Sequence, residues 1–224
     1  MHHSTRVKVC GMKSVEDIDL AVSSGADAVG FITDVPVETP RKIDLKKAEE
    51  LVSHVPFFVD SVLVIMPESA SDAIDMINCI GPDVVQIHST LDIDNMRSVR
   101  DNTDVKLIRT FHVPSGGNVL VNELVDEVNS LSSEDIVDGI LLDSYVSGKV
   151  GGTGQLHDLS ISREVVKLVD VPVILAGGLN ADNVADCVKQ VSPFAVDTAS
   201  GVETDGKKDA EKIRRFVKEV RCAR

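Results

Sequence analysis

Two small-residue turns late in the chain have the composition of a phosphate-binding site. Gly177-Gly178 follows the apolar run Val173–Ala176, and Ser200-Gly201 follows the run Ala195–Thr198. Glycine lets the backbone approach a ligand closely, and the N–H groups exposed at such turns and at helix starts attract an anion. The spacing of the two turns predicts that they hold one phosphate between them, and the alternative is that both are ordinary turns.

Three side chains that can exchange protons close other apolar runs: Cys10, His88 and Asp143. A carboxyl group keeps its proton near neutral pH in partly apolar surroundings, and a thiol becomes a base when its pKa is lowered. Lys8 lies two residues before Cys10 and therefore shares its face of the predicted strand. Structural interpretations exist for each: a small buried hydrophobe for Cys10, a loop residue or helix cap for Asp143, and a satisfied polar residue for His88.

The elements that would position these residues alternate along the chain. Eight nearly continuous apolar runs are typical of strands covered on both faces, which favours a parallel sheet. The predicted strands are Arg6–Cys10, Ala28–Ile32, Val59–Ile65, Val84–His88, Val105–Thr110, Gly139–Asp143, Val173–Ala176 and Ala195–Thr198.

Amphipathic segments between these runs predict eight helices. Ser14 with Asp17 is similar to a capping box, and Gly25 follows the first helix as a C-cap would. The predicted helices are Ser14–Ser24, Asp44–His54, Ala70–Ile80, Ile93–Asn102, Val119–Ser130, Ser160–Val169, Ala181–Val191 and Lys207–Val220.

Eight βα units, recurring about every 25 residues, favour a closed barrel over an open doubly wound sheet. The sequence therefore predicts a single α/β domain over residues 1–224, a (β/α)8 TIM barrel with eight parallel strands, in which residues 1–5 form a flexible tail. Active sites of such barrels lie at the C-terminal ends of the strands, which is where Cys10, His88 and Asp143 are placed.

Composition excludes several classes of partner. The chain has 224 residues, 43% of them hydrophobic, which is enough for a sizeable core. A formal net charge of −13 argues against binding to nucleic acid or to an anionic membrane surface, because both repel an acidic protein. The four cysteines are widely separated and suggest neither a zinc site nor a disulfide framework. This fits reduced thiols, so we expect a cytoplasmic protein, and we expect no metal. No long apolar segment precedes the first strand, so we expect neither a signal peptide nor a membrane anchor.

Seven motifs, taken in order, resemble the phosphoribosylanthranilate isomerase family of tryptophan biosynthesis. Each motif is weak alone, and their shared order from the first strand to the last helix makes the resemblance strong. They are Lys8-Val9-Cys10-Gly11-Met12, Gly25 to Ile32, Val85-Gln86-Ile87-His88, Leu141-Leu142-Asp143-Ser144, Gly151-Gly152-Thr153-Gly154, Leu175 to Asn180, and Asp197 to Glu203 followed by Gly206-Lys207-Lys208-Asp209.

The resemblance implies an Amadori rearrangement that needs no cofactor. It would convert N-(5-phosphoribosyl)anthranilate to 1-(2-carboxyphenylamino)-1-deoxyribulose 5-phosphate. The matched Asp143 would be the general acid that protonates the furanose ring oxygen, and Cys10 the general base that removes the proton from C2 of the sugar. Each proton transfer typically contributes about 10²–10⁴-fold to the rate, so losing either residue is expected to reduce activity far more than stability.

The resemblance also implies a set of substrate-binding residues. Arg41 matches a loop arginine expected to bind the anthranilate carboxylate, for which a guanidinium fork is suited. The alternative for Arg41 is a solvated charge. His88 and Asp197 match residues that line the pocket, and the backbone at Gly177, Gly178, Ser200 and Gly201 matches the phosphate site. We expect a small-molecule phosphosugar as the partner and a monomer or a homodimer as the assembly.

Four segments depart from the family's pattern, and one of them, Phe58 to Val62, fits the usual third strand only loosely. Ser89 stands where glycine is usual, His157-Asp158-Leu159 replaces an aromatic-containing segment, and Thr198-Ala199-Ser200 varies a serine pair. These changes affect the expected substrate affinity and loop detail, and they leave the acid and the base in place.

Three alternative functions remain open. A related ribulose-phosphate barrel such as indole-glycerol-phosphate synthase shares the late glycine turns, but it needs lysine and glutamate catalysts at strand ends, whereas Lys8 lies inside its strand. A lysine Schiff-base aldolase meets the same objection. From a different class, the chain could be a non-catalytic phosphosugar-binding barrel, although it has both Cys10 and Asp143. A turnover assay with the fluorescent aminobenzoate substrate distinguishes these possibilities.

Overall fold

A computed structural model describes residues 4–114, 121–145 and 158–223, apart from the side chains of Pro114 and Tyr145. Its main sheet contains eight long parallel strands, rich in Val, Ile and Leu because both faces of each strand are covered. They are β1 (Arg6–Cys10), β2 (Ala28–Thr33), β3 (Asp60–Ile65), β4 (Val84–Ile87), β5 (Lys106–Pro114), β6 (Gly139–Tyr145), β7 (Val173–Leu175) and β8 (Ala195–Thr198). Short two-residue strands lie at Lys42–Ile43, Glu203–Thr204 and Lys207–Lys208.

The eight long strands form one closed barrel. Each pairs with the next strand in sequence, and β1 pairs with both β2 and β8, which closes the sheet. The register places Lys8 of β1 beside Asp197 of β8, and His112 of β5 beside Asp143 of β6. The predicted (β/α)8 TIM barrel is confirmed.

Within the described ranges, eight α-helices surround the sheet. They are α1 (Val15–Ser23), α2 (Leu45–Val52), α3 (Ala70–Ile80), α4 (Ile93–Asn102), α5 (Val121–Ser133), α6 (Leu159–Leu168), α7 (Val184–Val191) and α8 (Ala210–Cys222). At the first four N-termini, Ser14, Asp44, Ser69 and Asp92 each accept a hydrogen bond from the backbone N–H three residues on, which satisfies a donor that the helix leaves unpaired. None of the described helices is both long enough and apolar enough to cross a bilayer.

Helix α7 begins at Val184, three residues later than the predicted start at Ala181. The side chain of Asn180 accepts a hydrogen bond from the N–H of Asp182 at 2.8 Å, which holds the chain in a turn. The side chain of Asn183 accepts from the N–H of Asn180 and donates to the carbonyl of Gly178. Asparagine side chains therefore fix the loop after β7 before the helix starts.

Strands β5 and β6 are longer than predicted and end at Pro114 and Tyr145. The prediction ended each strand near the end of its apolar run, but hydrogen-bonded pairing continues through polar residues such as His112 and Ser144. The motif Gly151 to Gly154 and the departure at His157 lie outside the described residues.

The core has two regions. Apolar residues between the sheet and the helices form the larger region, and a smaller cluster that includes Cys10, Val64 and Leu141 fills the barrel. A polar layer also crosses the barrel interior, formed by the buried Lys8, Gln86 and Thr110 together with the partly buried Asp197. This layer underlies the mouth of the barrel and positions the site.

Candidate active site

One pocket opens at the C-terminal ends of the strands, with a volume of about 970 Å³ counted with its opening to solvent. Eight of the predicted site residues line it: Cys10, Arg41, His88, Asp143, Gly177, Gly178, Asp197 and Ser200. The predicted residue Gly201 is not part of the lining. A Cβ at Gly201 would lie 1.9 Å from the carbonyl oxygen of Leu179, so this glycine allows the turns after β7 and β8 to pack together.

Cys10 ends β1 and reaches the pocket with 6% of its surface exposed. Its register partner on β2 is Gly30, and a Cβ there would lie 2.7 Å from the Cys10 Sγ. The missing side chain of Gly30 therefore makes room for the thiol. Burial raises the pKa of Cys10, and the ammonium groups of Lys8 and Lys208 offset part of that effect. The thiol form of Cys10 therefore predominates at neutral pH.

Lys8 lies below Cys10 in the polar layer. Its Nζ donates to Oδ2 of Asp197 at 3.0 Å and to Oε1 of Gln86 at 3.1 Å. Burial alone would favour the neutral amine, but the charge of Asp197 and the nearby Cys10 raise the pKa of Lys8 above its usual value. Lys8 is therefore a charged ammonium group that faces both the base candidate and Asp197.

Asp143 lies in β6, three strands around the barrel from β1, which carries Cys10. Burial, together with the negative charge of Asp197, raises the pKa of Asp143 to about 7, although Lys8 acts in the other direction. A carboxyl group in this state holds its proton for a large part of the time at neutral pH and can donate it.

Two histidines lie beside Asp143. The rings of His88 and His112 meet edge to face, with centroids 4.9 Å apart, and Nε2 of His88 lies 3.9 Å from Oδ2 of Asp143. Burial and the charges of His112 and Lys8 lower the pKa of His88 to about 4. His88 is therefore neutral near pH 7, and its approach to Asp143 is not an ion pair.

Arg41 forms a two-pronged ion pair with Glu203, which follows β8. The Arg41 Nε donates to Oε1 of Glu203 at 2.9 Å, and Nη2 donates to Oε2 at 2.6 Å. Lys208 donates from Nζ to Oε1 of the same glutamate at 2.8 Å and to the carbonyl oxygen of Cys10 at 2.6 Å. Arg41 is thus held by a specific partner at the edge of the pocket, and it is not a solvated charge.

The carboxylate of Glu203 is stabilised in this arrangement. Burial opposes its ionisation, but the bonds from Arg41 and Lys208 outweigh burial and lower the pKa of Glu203. The ion pairs therefore persist at neutral pH and connect the loop that carries Arg41 to the end of the strand that carries Cys10.

The two late turns meet at one side of the pocket. Gly177 and Gly178 both have positive φ, +86° and +67°, which few other residues adopt without strain. The hydroxyl of Thr198 donates to the carbonyl of Leu179 at 2.8 Å and ties the end of β8 to the turn after β7. Backbone at Gly178 and Ser200 consequently faces the same space.

Four residues of the site have roles that were not predicted from the sequence: Gln86, Gly30, Glu203 and Lys208. Gln86 precedes His88 by two positions, and the two-residue period of a strand could have placed it on the same inward face. Glu203 and Lys208 contact residues from the first part of the chain, and no local pattern indicates such long-range pairs.

Comparison with known proteins identifies relatives along almost the whole chain. The family model described as N-(5'-phosphoribosyl)anthranilate (PRA) isomerase matches residues 7–219. An N-(5'-phosphoribosyl)anthranilate isomerase from Methanosarcina acetivorans is 50% identical over 223 residues, which cover 97% of this chain and 94% of the relative.

Solved structures give the same assignment. The N-(5'-phosphoribosyl)anthranilate isomerase from Pyrococcus furiosus superposes with a TM-score of 0.80 at 31% identity, covering 96% of this chain and 98% of that one. A phosphoribosyl anthranilate isomerase in complex with reduced 1-(o-carboxyphenylamino)-1-deoxyribulose 5-phosphate has a TM-score of 0.77 at 30% identity, with 96% and 98% coverage. The chain belongs to the N-(5'-phosphoribosyl)anthranilate isomerase family.

Proposed function

We propose that this phosphoribosylanthranilate isomerase of tryptophan biosynthesis works by acid–base catalysis, with Asp143 as the acid and Cys10 as the base. The observation that carries the proposal is that a carboxyl group with a pKa of about 7 and a thiol line the same pocket at the mouth of the barrel. The substrate is N-(5'-phosphoribosyl)anthranilate, and the product is 1-(2-carboxyphenylamino)-1-deoxyribulose 5-phosphate.

Asp143 acts first. It donates its proton to the furanose ring oxygen while the bond from that oxygen to C1 breaks, and the lone pair of the anthranilate nitrogen forms a C=N bond at C1. The raised pKa of Asp143 supports this role, because the group holds a proton near neutral pH and is not so weak an acid that transfer is unfavourable.

Cys10 acts second. Its thiolate takes the proton from C2 of the open-chain iminium ion, and the electrons of that C–H bond form a C=C bond between C1 and C2 while the nitrogen regains its lone pair. The resulting enolamine tautomerises to the ketone at C2, with a proton added at C1. Lys8 and Lys208 support the thiolate electrostatically, since both ammonium groups lower the pKa that burial raises.

Substrate binding follows from the groups around the two catalysts. The turn at Gly177-Gly178 and the turn at Ser200 hold the phosphate through backbone N–H groups, and Gly201 allows the two turns to pack together. Glu203 engages two of the five N–H donors of Arg41 and orients the guanidinium, whose Nη1 group then binds the anthranilate carboxylate. The buried Oδ1 of Asp197 has no hydrogen-bond partner among the described residues, and it accepts a bond from a sugar hydroxyl.

The state of Lys8 argues against a lysine-dependent barrel reaction. A Schiff-base or general-base lysine must be neutral, whereas the pKa of Lys8 is raised and its ammonium group is paired with Asp197 and Gln86. This favours the isomerase over an indole-glycerol-phosphate synthase or an aldolase.

Substitution of the two catalysts tests the proposal. Cys10→Ser and Asp143→Asn should each lower kcat by about 10²–10⁴-fold. The assay measures turnover as the loss of substrate fluorescence. The matched controls are Cys79→Ser and Asp104→Asn, which change an exposed thiol and an exposed carboxylate and should leave kcat unchanged. A Cys10→Ser enzyme with full activity would remove the thiol from the mechanism. Phosphosugar binding without any turnover by the unmodified protein would favour the non-catalytic barrel.

A cytoplasmic location, a single domain over residues 1–224 and a monomeric or homodimeric assembly remain predictions. Sedimentation equilibrium of the purified chain measures the assembly directly. A tetramer or larger species would contradict that part of the proposal.

A further inference from the structure

A row of hydrogen bonds runs from Lys8 through Gln86 to His88, beside the acid and outside the two proton transfers described above. Lys8 Nζ lies 3.1 Å from Gln86 Oε1, and Gln86 Nε2 lies 3.2 Å from the hydroxyl oxygen of Thr110 and 3.3 Å from Nδ1 of His88. Lys8, Gln86 and Thr110 are all at most 5% exposed, so these contacts are sheltered from water.

The orientation of the Gln86 amide is determined by Lys8. An ammonium group has three donors and no acceptor, so the atom of Gln86 that faces it must be the carbonyl oxygen. The NH₂ group then faces the other way, and its two N–H bonds are directed at Thr110 and at Nδ1 of His88. A flipped amide would place its NH₂ group against the Lys8 ammonium. This orientation is excluded because two hydrogen-bond donors would then face each other.

The protonation of His88 follows from that orientation. Its Nδ1 faces a donor and must therefore present a lone pair. Because burial and neighbouring positive charge lower the pKa of His88 to about 4, the ring is neutral near pH 7 and carries one proton. That proton is on Nε2, the nitrogen 3.9 Å from Oδ2 of Asp143.

We propose that Gln86 is a positioning residue that holds His88 as its Nε2–H tautomer, so that His88 donates a hydrogen bond to the Asp143 carboxylate after Asp143 has released its proton. The proposal rests on the role of Asp143 given above. The 3.9 Å separation is longer than a hydrogen bond, and catalytic bonds of this kind commonly shorten when substrate is bound. In the opposite tautomer, a lone pair on Nε2 would face the new negative charge and repel it.

The same contacts make a cluster of possible metal ligands, His88, His112 and Asp143, poorly suited to bind a metal ion. Ligand atoms of His88, His112 and Asp143 lie within 4.8 Å of one another, a donor set that Zn²⁺ accepts. A metal-binding histidine normally donates its second N–H to an acceptor. Gln86 instead offers a donor to Nδ1 of His88, so the tautomer that would bind a metal through Nε2 is disfavoured.

Gln86→Glu tests the proposal because it keeps the shape and the contact with Lys8 but presents an acceptor to His88. The proton of His88 should move from Nε2 to Nδ1, and ¹⁵N spectra of histidine-labelled protein measure this directly, with His88→Phe identifying the signal among the six histidines. We expect kcat to fall about 10- to 100-fold, as for loss of a hydrogen bond to a charged group, with a smaller change in KM.

A second pair of variants separates the tautomer from the added negative charge. In the His88→Phe background, Gln86→Glu introduces the same charge near Asp143 without a ring to reorient, so it should change kcat much less than in the unmodified enzyme. An equal loss in both backgrounds, or an unchanged His88 tautomer in Gln86→Glu, would overturn the proposal.

Zinc binding provides a readout that does not depend on turnover. In a Cys10→Ser background, which removes the pocket thiol, calorimetry should give Gln86→Glu at least about tenfold higher affinity for Zn²⁺ than the parent, because Nδ1–H would then have an acceptor. Equal affinities contradict the proposed orientation of Gln86. If the spectra and zinc data agree with the proposal but the unmodified enzyme does not turn over its substrate, the proposed function fails and the tautomer assignment stands.

Discussion

The acid and the base have pKa values in an unusual order for the roles they perform. Burial raises the pKa of Asp143 to about 7 and also raises that of Cys10, so the acid releases its proton more readily than the base does. When Asp143 and Cys10 hold one proton between them, that proton is mostly on Cys10. The reactive form, with Asp143 protonated and Cys10 ionised, is therefore a minor fraction of the singly protonated enzyme. Substrate binding and the ammonium groups of Lys8 and Lys208 must favour that fraction.

This order predicts a bell-shaped dependence of kcat/KM on pH. Below about pH 7 both groups are protonated and no thiolate is present, so the rate rises as pH increases through the pKa of Asp143. At alkaline pH, above the raised pKa of Cys10, both protons are lost and the rate falls. Initial rates measured from about pH 5.5 upward into the alkaline range follow both limbs. A rate that stays level through pH 7 contradicts the assigned state of Asp143.

Asp143→Asn should stabilise the fold at alkaline pH while it removes activity. A carboxyl group whose pKa is raised by folding, from 3.8 to about 7, makes the folded state less stable once pH exceeds the unfolded value, and the full loss is present above pH 7. Asparagine cannot ionise, so at pH 8 the free energy of unfolding should increase by roughly 1–4 kcal/mol. Urea denaturation at pH 8 and at pH 4 tests this, because the gain should vanish at the lower pH. Asp104→Asn, at an exposed position, should give no such difference.

At the scale of the elements, the strand positions were predictable because their cause is local. Both faces of each strand are covered, so each strand is an apolar run, and the predicted starts agree with the structure within one residue. Predicted ends were less accurate where polar site residues continue the pairing, as at His112 and Ser144. The late start of α7 was missed because Asn180 and Asn183 bond to the backbone of the loop instead of capping a helix at Ala181.

The site was predictable as a set of positions and not as a set of contacts. Strand ends identify the residues around the mouth, since parallel strands in a barrel all end on one side. The partners of those residues come from across the barrel, as with Lys8 and Gln86, which are 78 positions apart, or Arg41 and Glu203, which are 162 apart. Such pairs depend on the closure of the barrel and leave no local periodic signal.

The pairing of β1 with β2 predicts a steric effect at Gly30. Gly30→Ala would place a Cβ 2.7 Å from the sulfur of Cys10, and this contact must push the thiol or the strand away. We expect a loss of about 1–3 kcal/mol in the free energy of unfolding, as for other overpacked cores, and at least a tenfold lower kcat. Chemical denaturation and turnover measure the two effects.

The Cys10→Ala background is the control for that prediction. Removing the sulfur takes away the nearest clashing atom, so Gly30→Ala should cost less stability there than in the unmodified chain. An equal cost in both backgrounds would mean that the backbone of β1, and not the thiol, determines the need for glycine.

At the scale of the whole molecule, ion pairs connect the two ends of the chain around the mouth of the barrel. Arg41 lies in the loop after β2, whereas Glu203 and Lys208 follow β8, and Lys208 also bonds to the carbonyl of Cys10. With the buried Lys8, these side chains place three cations at the site against the two carboxylates of Glu203 and Asp197 that pair with them, in a protein with a net charge of −13. We expect this local excess of positive charge to attract a substrate with a phosphate and a carboxylate against the overall field.

Glu203→Gln tests the part of this network that orients Arg41. The amide keeps one acceptor for the guanidinium but loses the charge, so Arg41 should be held less firmly and KM should rise severalfold, with a smaller change in kcat. Steady-state kinetics measure both constants. Glu134→Gln, which breaks a surface ion pair with Arg97, serves as the matched control and should leave KM unchanged. A KM that does not respond to Glu203→Gln would mean that Arg41 binds no substrate carboxylate.

The polar layer across the barrel, which contains Lys8 and Gln86, has a consequence for attempts to engineer this protein. Exchanging Lys8 for an aliphatic residue would look like a thermostabilising change, because it replaces a buried ammonium group with hydrocarbon. It would also free the Gln86 amide to rotate, so the tautomer of His88, which follows β4, would no longer be fixed. Stabilisation of the barrel wall and preservation of catalysis are therefore not separable problems in this protein.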